Sequence, residues 1–431
     1  MRTIAERIAV LLALCCLYPT SGSFGQDTTQ TEKNMQRLLS GVPGRTKLML
    51  TGIAWVGFQA ELNNPDKLVP KTNFNDFGFS PLFLCRLSDK LFFESEIEIK
   101  SAGDAENSAA FDLEYAKLSY RVGKNMTIGA GKMLSPFGAY GEKWEPVHVE
   151  RFANAPLRPD DRFLPDDTHL YWGAVLGVDV RGIVPMGNGR VSYAFYICNG
   201  PKLRTEPERG GMTQAENLND NNNNKEVGGR IGILPFANSS LELGISAKHA
   251  KVGGLQDSVY MIGGQSRNYR DVGSSVFAVD WNYVKPFSKI KSIIGIRGQW
   301  TAAMIDDAYY SVPTGFTPKP GSSAPGDPSL YTFNNSMGSF FAQFSFRPAM
   351  VDNKFLKNLE LLVRYNSLSA PKDAAWGPKD AKGMGAPVTR IDIGLDYWLN
   401  WRTGLRLAYE STAMPDGTTR NLFLVRLATG L

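Results

Sequence analysis

A chain of 431 residues, 43 of them glycine and 11% aromatic, suits many strands and turns better than helices. Its length fits one large barrel as well as two ordinary domains. The formal charge of +5, from 47 Lys and Arg against 42 Asp and Glu, is mild and gathers in no basic block. Nucleic acid is therefore not an expected partner.

The N-terminus reads as an export signal. Arg2 and Arg7 precede an apolar stretch over residues 8–18, and Ser23-Phe24-Gly25 offers small residues for cleavage before Gln26. Residues 1–25 are thus expected to be a signal peptide. A lipoprotein reading would use Cys15 or Cys16, but neither follows a small residue. Residues 26–46 read as a polar periplasmic segment, with a short helix around Met35–Leu39. No apolar run of about eighteen residues follows, so no membrane helix is expected. The mature chain keeps only Cys85 and Cys198, far apart in sequence.

From residue 47 onward, hydropathy alternates with a period of two. Leu48, Leu50, Gly52, Ala54, Val56 and Phe58 share one face. Phe93, Ile97 and Ile99 oppose Glu94, Glu96 and Glu98, and Ile391, Ile393 and Leu395 oppose Arg390, Asp392 and Asp396. Such segments form sheets that are apolar on one face and wet on the other. About sixteen strands are expected, centred near Ala54, Phe79, Ile97, Lys117, Ile128, Leu176, Phe195, Arg230, Ile245, Val279, Ile296, Phe344, Val363, Ile393, Leu407 and Val425. Parity switches near Tyr115-Ala116, which predicts a β-bulge.

The connections between strands alternate short and long. Short ones include residues 88–90, 123–125, 185–189, 235–239, 285–289 and 400–402. Long ones include 61–73, 101–110, 135–167, 199–225, 251–273, 305–332, 370–387 and 413–419. Residues 347–358 are the exception, being long for a turn. This rhythm predicts an all-β fold: a closed antiparallel transmembrane β-barrel over residues 47–431, with short periplasmic turns and long extracellular loops, in an outer membrane. Trp281, Tyr283, Tyr397, Trp398 and Trp401, beside the short turns, are candidates for an interfacial aromatic girdle. The longest insertion, residues 135–167, has too much apolar content for a disordered linker and is expected to fold into or over the pore.

Residues 113–120 (LEYAKLSY) and 131–138 (GKMLSPFG) resemble the phosphate-selective porin superfamily, particularly the porin-like outer-membrane barrels of Bacteroidetes. The resemblance covers this part of the chain. It implies a sixteen-stranded barrel, often a homotrimer, whose third loop narrows the pore. It does not carry over phosphate as the solute, because the arginines and lysine cluster of the phosphate-selective members find no one-for-one match.

With the apolar face toward lipid, the opposite parity lines the lumen. The pore-lining residues expected are Glu94, Glu96, Glu98, Asp179, Arg181, Arg230, Glu242, Lys248, Arg297, Arg364, Arg390, Asp392, Asp396, Arg402, Arg406 and Arg426, with Asp280, Glu360 and Glu410 on the same parity. A dry core could not hold so many charges, whereas a water-filled channel can. Glu94, Glu96 and Glu98 form an early acidic row; Arg390, Arg402, Arg406 and Arg426 form a late basic wall. Closure of the barrel would bring the two near each other and set a transverse field across the pore. The inserted loop contributes Glu142, Lys143, Glu145, Arg151, Arg158 and Arg162 to a constriction. With Glu150, Asp160 and Asp161 the loop is slightly acidic, which argues against strong anion selection.

The sequence thus reads as a passive channel for small polar or ionic solutes with weak selectivity. The alternative is a barrel plugged by its loops, serving a structural or partner-binding role; inward Phe341 and Leu362 would suit that. No enzyme is expected, because His148, His169 and His249 are scattered and no serine motif accompanies them. No cofactor is expected either. Asp160-Asp161 and Asp166-Asp167 leave a loop calcium site open, since oxygen ligands are present.

Overall fold

The structure is a computed structural model that describes residues 47–63, 72–101, 109–157, 173–214, 220, 222–254, 259–262, 264–377 and 387–431. The expected signal peptide, the segment over residues 26–46, Arg158, Arg162, His169 and the two Asp pairs of the inserted loop lie outside the described residues.

Sixteen strands form one closed barrel, each paired with its neighbours in chain order. They are β1 (Lys47–Asn63), β2 (Thr72–Arg86), β3 (Leu91–Ser101), β4 (Ala109–Val122), β5 (Met126–Leu134), β6 (Ala174–Met186), β7 (Gly189–Asn199) and β8 (Lys225–Leu234), followed by β9 (Leu241–Lys251), β10 (Gly273–Phe287), β11 (Ser292–Ile305), β12 (Asn335–Arg347), β13 (Leu359–Ser369), β14 (Val388–Trp398), β15 (Thr403–Ala413) and β16 (Thr419–Gly430). All sixteen expected centres fall inside these strands. All pairings are antiparallel, and β1 meets β16 from Ile53↔Gly430 to Asn63↔Asn421, so the sheet has no free edge.

The alternation in sequence becomes alternation in exposure. Along β9, Leu243 and Ile245 are exposed while Ser246 and Lys248 are buried. Along β14, Ile391 and Ile393 are exposed while Arg390, Asp392 and Asp396 are buried. The exposed parity is an apolar belt of Leu, Ile, Val and Phe around the barrel. A water-soluble protein seldom exposes so wide an apolar surface, and a bilayer accepts it. The buried parity carries charge, to the point that Arg364 and Arg406 are among the largest fully buried side chains.

The bulge is present and sits at Glu114: Ile97 faces Leu113 while Glu96 faces Tyr115, which leaves Glu114 as the extra residue. The long turn over residues 347–358 contains a 3₁₀ turn, Leu356–Asn358. Trp398, expected in the girdle, turns inward instead. It is 2% exposed, and its indole donates to Glu360 Oε2 at 2.9 Å. Trp281 and Tyr397 stay on the outward parity, and Trp401 is exposed in its turn.

Candidate functional site

The inserted loop leaves the wall where glycine is required. Gly131 has φ +136°, and a Cβ there would lie 2.2 Å from the Ala116 carbonyl oxygen. Gly138 has φ +69°, and a Cβ there would press on the Gln299 amide at 2.8 Å. Both positions belong to the 131–138 motif, and they let the chain bend off the wall and run inward.

Inside, the loop lies against the inner face of β9–β15. The Gly138 N–H donates to Ser246 Oγ at 3.0 Å; those of Ala139 and Tyr140 donate to Gln299 Oε1 at 2.9 and 3.1 Å. A helical turn, Tyr140–Trp144, follows, with Tyr140 and Trp144 edge-on to Phe341 at 5.7 and 6.1 Å between ring centres. Lys143 pairs with Glu242 and Glu142 with Arg181. The chain then reaches the short-turn end of the barrel, where Arg406 donates to the carbonyls of Val147 and His148, and the His148 ring approaches Gly430. It climbs back through Arg151, which donates to Glu360 at 2.6 Å and Ser345 at 2.8 Å. Asn154 donates to Asp392 at 3.0 Å and Glu410 at 2.8 Å, and the Leu157 N–H reaches Asn366 at 3.2 Å.

Glu150 and Arg364 sit at the middle of this attachment. Glu150 accepts from Arg297 at 2.8 Å and lies 3.5 Å from Arg364. Arg364 pairs with Asp392 at 2.8 Å and donates to Asn154 Oδ1 at 2.6 Å and the Ala155 carbonyl at 3.2 Å. It also stacks over Phe152, 4.4 Å from the ring centre. Charge-assisted bonds of this kind, out of water, are the strong ones. Leu362 packs with Phe152 in the same region.

The expected site residues therefore divide. Arg297, Arg364, Arg390, Asp392, Asp396 and Arg406 are on the inner wall but nearly or fully buried, and all but Asp396 meet the loop directly. Asp396 instead lies 3.9 Å from the Arg406 guanidinium, and neither of its carboxylate oxygens has a hydrogen-bond partner. Asp179, Arg181, Arg230, Glu242 and Lys248 form inner-face ion pairs: Lys117–Asp179 at 2.8 Å, Arg230–Glu242 at 3.0 Å, Lys248–Glu226 at 3.2 Å. Arg426 pairs with Asp76 at 2.6 Å. Arg402 is not on the wall at all; it sits in the turn before β15 with its guanidinium 4.0 Å from the Trp401 ring centre. The transverse field expected between the acidic row and the basic wall is not formed, because carboxylates and the loop cover Arg390 and Arg406.

What the loop leaves open lies on the other side. A cavity of about 950 Å³ is bounded by the inner faces of β1–β8 and, across from them, by Pro136, Glu142 and Lys143 of the loop. Glu94, Lys117, Ser119, Thr127, Arg181, Ser192 and Arg230 line it. Glu96 and Glu98 continue the inner face of β3 above Glu94, with Glu98 2.5 Å from Lys100. Glu145 closes the helical turn, its N–H donating to the Tyr140 carbonyl at 2.9 Å.

At the long-loop end, one apolar cluster joins the loop to the cap above it. Phe137, Tyr140 and Trp144 pack with inner-face Val276, Ala303, Met337 and Phe341, and through these with Tyr269, Tyr310, Tyr331, Phe333 and Trp376 of the outer loops. Trp376 donates to the Gly210 carbonyl at 2.9 Å, and Tyr331 accepts from the Ala375 N–H at 3.1 Å. Burial raises the pKa of Tyr310 and Tyr331, so these phenols stay neutral.

Sequence parity placed Glu360 and Glu410 inside, and could have found Ser246 and Gln299 in the same way. Glu150 and Asn154, within the insertion, carry no periodic signal. Among the described residues no group of three or more His, Cys, Asp or Glu side chains could hold a metal ion.

No protein-family model and no curated protein matches the chain. Solved structures do. The outer-membrane channel DcaP of Acinetobacter baumannii aligns over 90% of this chain and 97% of its own, with 12% identity and a TM-score of 0.51. OmpF of Salmonella typhi, solved with daunomycin, aligns over 90% of this chain and 98% of its own, with 12% identity and a TM-score of 0.51. At that identity the likeness is one of architecture, and it agrees with the belt, the closure and the charged interior: the chain has the closed sixteen-stranded barrel fold shared with outer-membrane channels.

Proposed function

We propose that the protein is an outer-membrane porin, a passive channel for small polar or ionic solutes with weak selectivity, narrowed by residues 135–167. The observation that carries this reading is the one-sided docking of the loop. It covers the inner face of β9–β15 through hydrogen bonds and ion pairs and leaves a cavity against β1–β8 into which charged side chains of both signs reach. Water-filled space lined by both signs of charge passes small hydrated solutes without strong discrimination. The basic and apolar stretches within residues 1–25 support export, and the resemblance to phosphate-selective porins supports assembly as a homotrimer.

The second reading, a plugged barrel with a structural or partner-binding role, draws on the apolar cluster that joins the loop to the outer cap. Purified protein in planar bilayers separates the two. Stepwise unitary currents, with a small reversal potential in a salt gradient, are expected. A folded barrel that leaves the bilayer silent would overturn the channel reading in favour of the plug.

A further inference from the structure

The open side of the interior carries its charge in two zones stacked along the barrel axis. The antiparallel order fixes the height of each residue: β3 runs from its short turn at Leu91 up to Ser101, and β4 runs down from Ala109 to Val122. Glu96, Glu98, Asp112 and Glu114 therefore lie in the upper half, toward the long loops. Glu96 and Glu114 have no ion pair among the described residues. Toward the short turns the sign reverses. Nine Lys and Arg side chains line the lower cavity, against only two carboxylates, Glu94 and Glu142. Several of the nine are neutralised by Asp179, Glu242, Asp280 and Asp89. Lys47, Arg121, Lys124 and Arg190 have no ion pair among the described residues, so the lower zone keeps a positive excess.

From Glu114 to Val122 the strand descends eight residues. At ~3.3 Å per residue and ~40° of tilt, that is about 20 Å along the axis. The Debye length is about 10 Å at 0.1 M salt and about 3 Å at 1 M. At 0.1 M each zone thus sets its own ion population without cancelling the other, whereas at 1 M both are screened close to the wall.

We infer that the pore is bipolar: a cation-collecting zone on the long-loop side in series with an anion-collecting zone on the short-turn side, so that its current rectifies. The inference rests on the channel reading above. When the long-loop side is positive, cations enter through the acidic zone and anions through the basic zone. Both accumulate at the junction and the pore conducts well. With the opposite polarity both are drawn away, the junction is depleted and the current falls. Two opposed zones in series also account for weak net selectivity in a strongly charged channel.

The test is current against voltage for single channels at pH 8, in 0.1 M and 1 M KCl, with Glu96→Gln/Glu114→Gln and Lys47→Gln/Lys124→Gln as variants. At ±100 mV and 0.1 M the wild type is expected to pass about twofold or more current in one polarity, with the ratio falling toward one at 1 M. Both double variants should lower the ratio at 0.1 M, while their reversal potentials in a salt gradient move in opposite directions. Channels that conduct with the same current in both polarities at 0.1 M, or a ratio unchanged in both variants, would overturn the bipolar pore and leave the channel reading standing. Folded protein that never conducts would remove the channel reading itself.

Discussion

Arg364 offers the sharpest test of how the loop is held. It is fully buried and joins β13 to the loop through Asn154, Ala155, Glu150 and the ring of Phe152, and to β14 through Asp392. Arg364→Met keeps most of the volume and removes the charge. Removing one partner of a buried pair costs about 3–5 kcal/mol. Here the lower end applies, because Asp392 keeps Arg390 at 3.2 Å, Asn154 at 3.0 Å and Asn366 at 2.9 Å, and Glu150 keeps Arg297. About 3 kcal/mol against loop docking, at ~1.4 kcal/mol per factor of ten, raises the population of the undocked loop roughly a hundredfold. Amide exchange of folded protein in detergent reads that population. The N–H groups of Ala139, Tyr140 and Leu157, bonded to Gln299 and Asn366, should exchange roughly a hundredfold faster in the variant, with β11 and the rest of the wall unchanged. Arg402→Met, in a turn beside Trp401, serves as the control and should leave them unaffected. Loop amides that exchange at wild-type rates in Arg364→Met would refute the view that this ion-pair cluster fastens the loop.

Three more outcomes are expected. Gly131→Val meets both a left-handed backbone and a carbonyl 2.2 Å from its Cβ, so it should lose about 1–3 kcal/mol or more, read as a lower urea midpoint for the folded barrel. Ile393→Arg places a charge on the apolar belt near mid-strand and should cost about 2–4 kcal/mol of stability in vesicles, while the same change at exposed Leu399, in a turn, should cost about 1 kcal/mol or less. Phe333→Ala removes a buried ring from the outer cap at about 3–5 kcal/mol, seen as faster exchange across residues 305–377. Under the channel reading its unitary conductance stays near wild type, since the cavity lies against β1–β8; a wild type that is silent and a variant that conducts would instead establish the plug.

The wall was legible because its determinants are local. A strand with one lipid face must alternate, and a short turn needs only a few residues, so every strand centre could be placed, and the bulge to within two residues, at Glu114. Parity also identified which charges face inward. It could not say what they face. Arg406 bonds to Val147, 259 positions away, and Arg151 to Glu360, 209 away, contacts that no periodicity encodes. Trp398 was misplaced because an aromatic beside a short turn suits either the lipid interface or an inward carboxylate, and Glu360 decides it. Arg402 was counted with the wall because parity was carried past the end of the strand. The transverse field failed because the basic wall is spent elsewhere: Arg390 and Arg406 on the loop and on wall carboxylates, Arg426 on Asp76, and Arg402 in a turn.

The anchoring of the loop also bears on the order of events as the barrel is built. Residues 138–157 emerge before β6, yet apart from Arg181 on β6 and Gly430 on β16 the partners named above sit on strands β9 to β15. Until those later strands arrive, Glu150, Arg151 and Asn154 have nothing to hold; Arg364 and Arg406 bring wall carboxylates with them, while Arg297 finds its counterion in the loop, at Glu150. Docking of the insertion therefore waits on the later half of the cylinder, and its buried contacts are gained late in assembly.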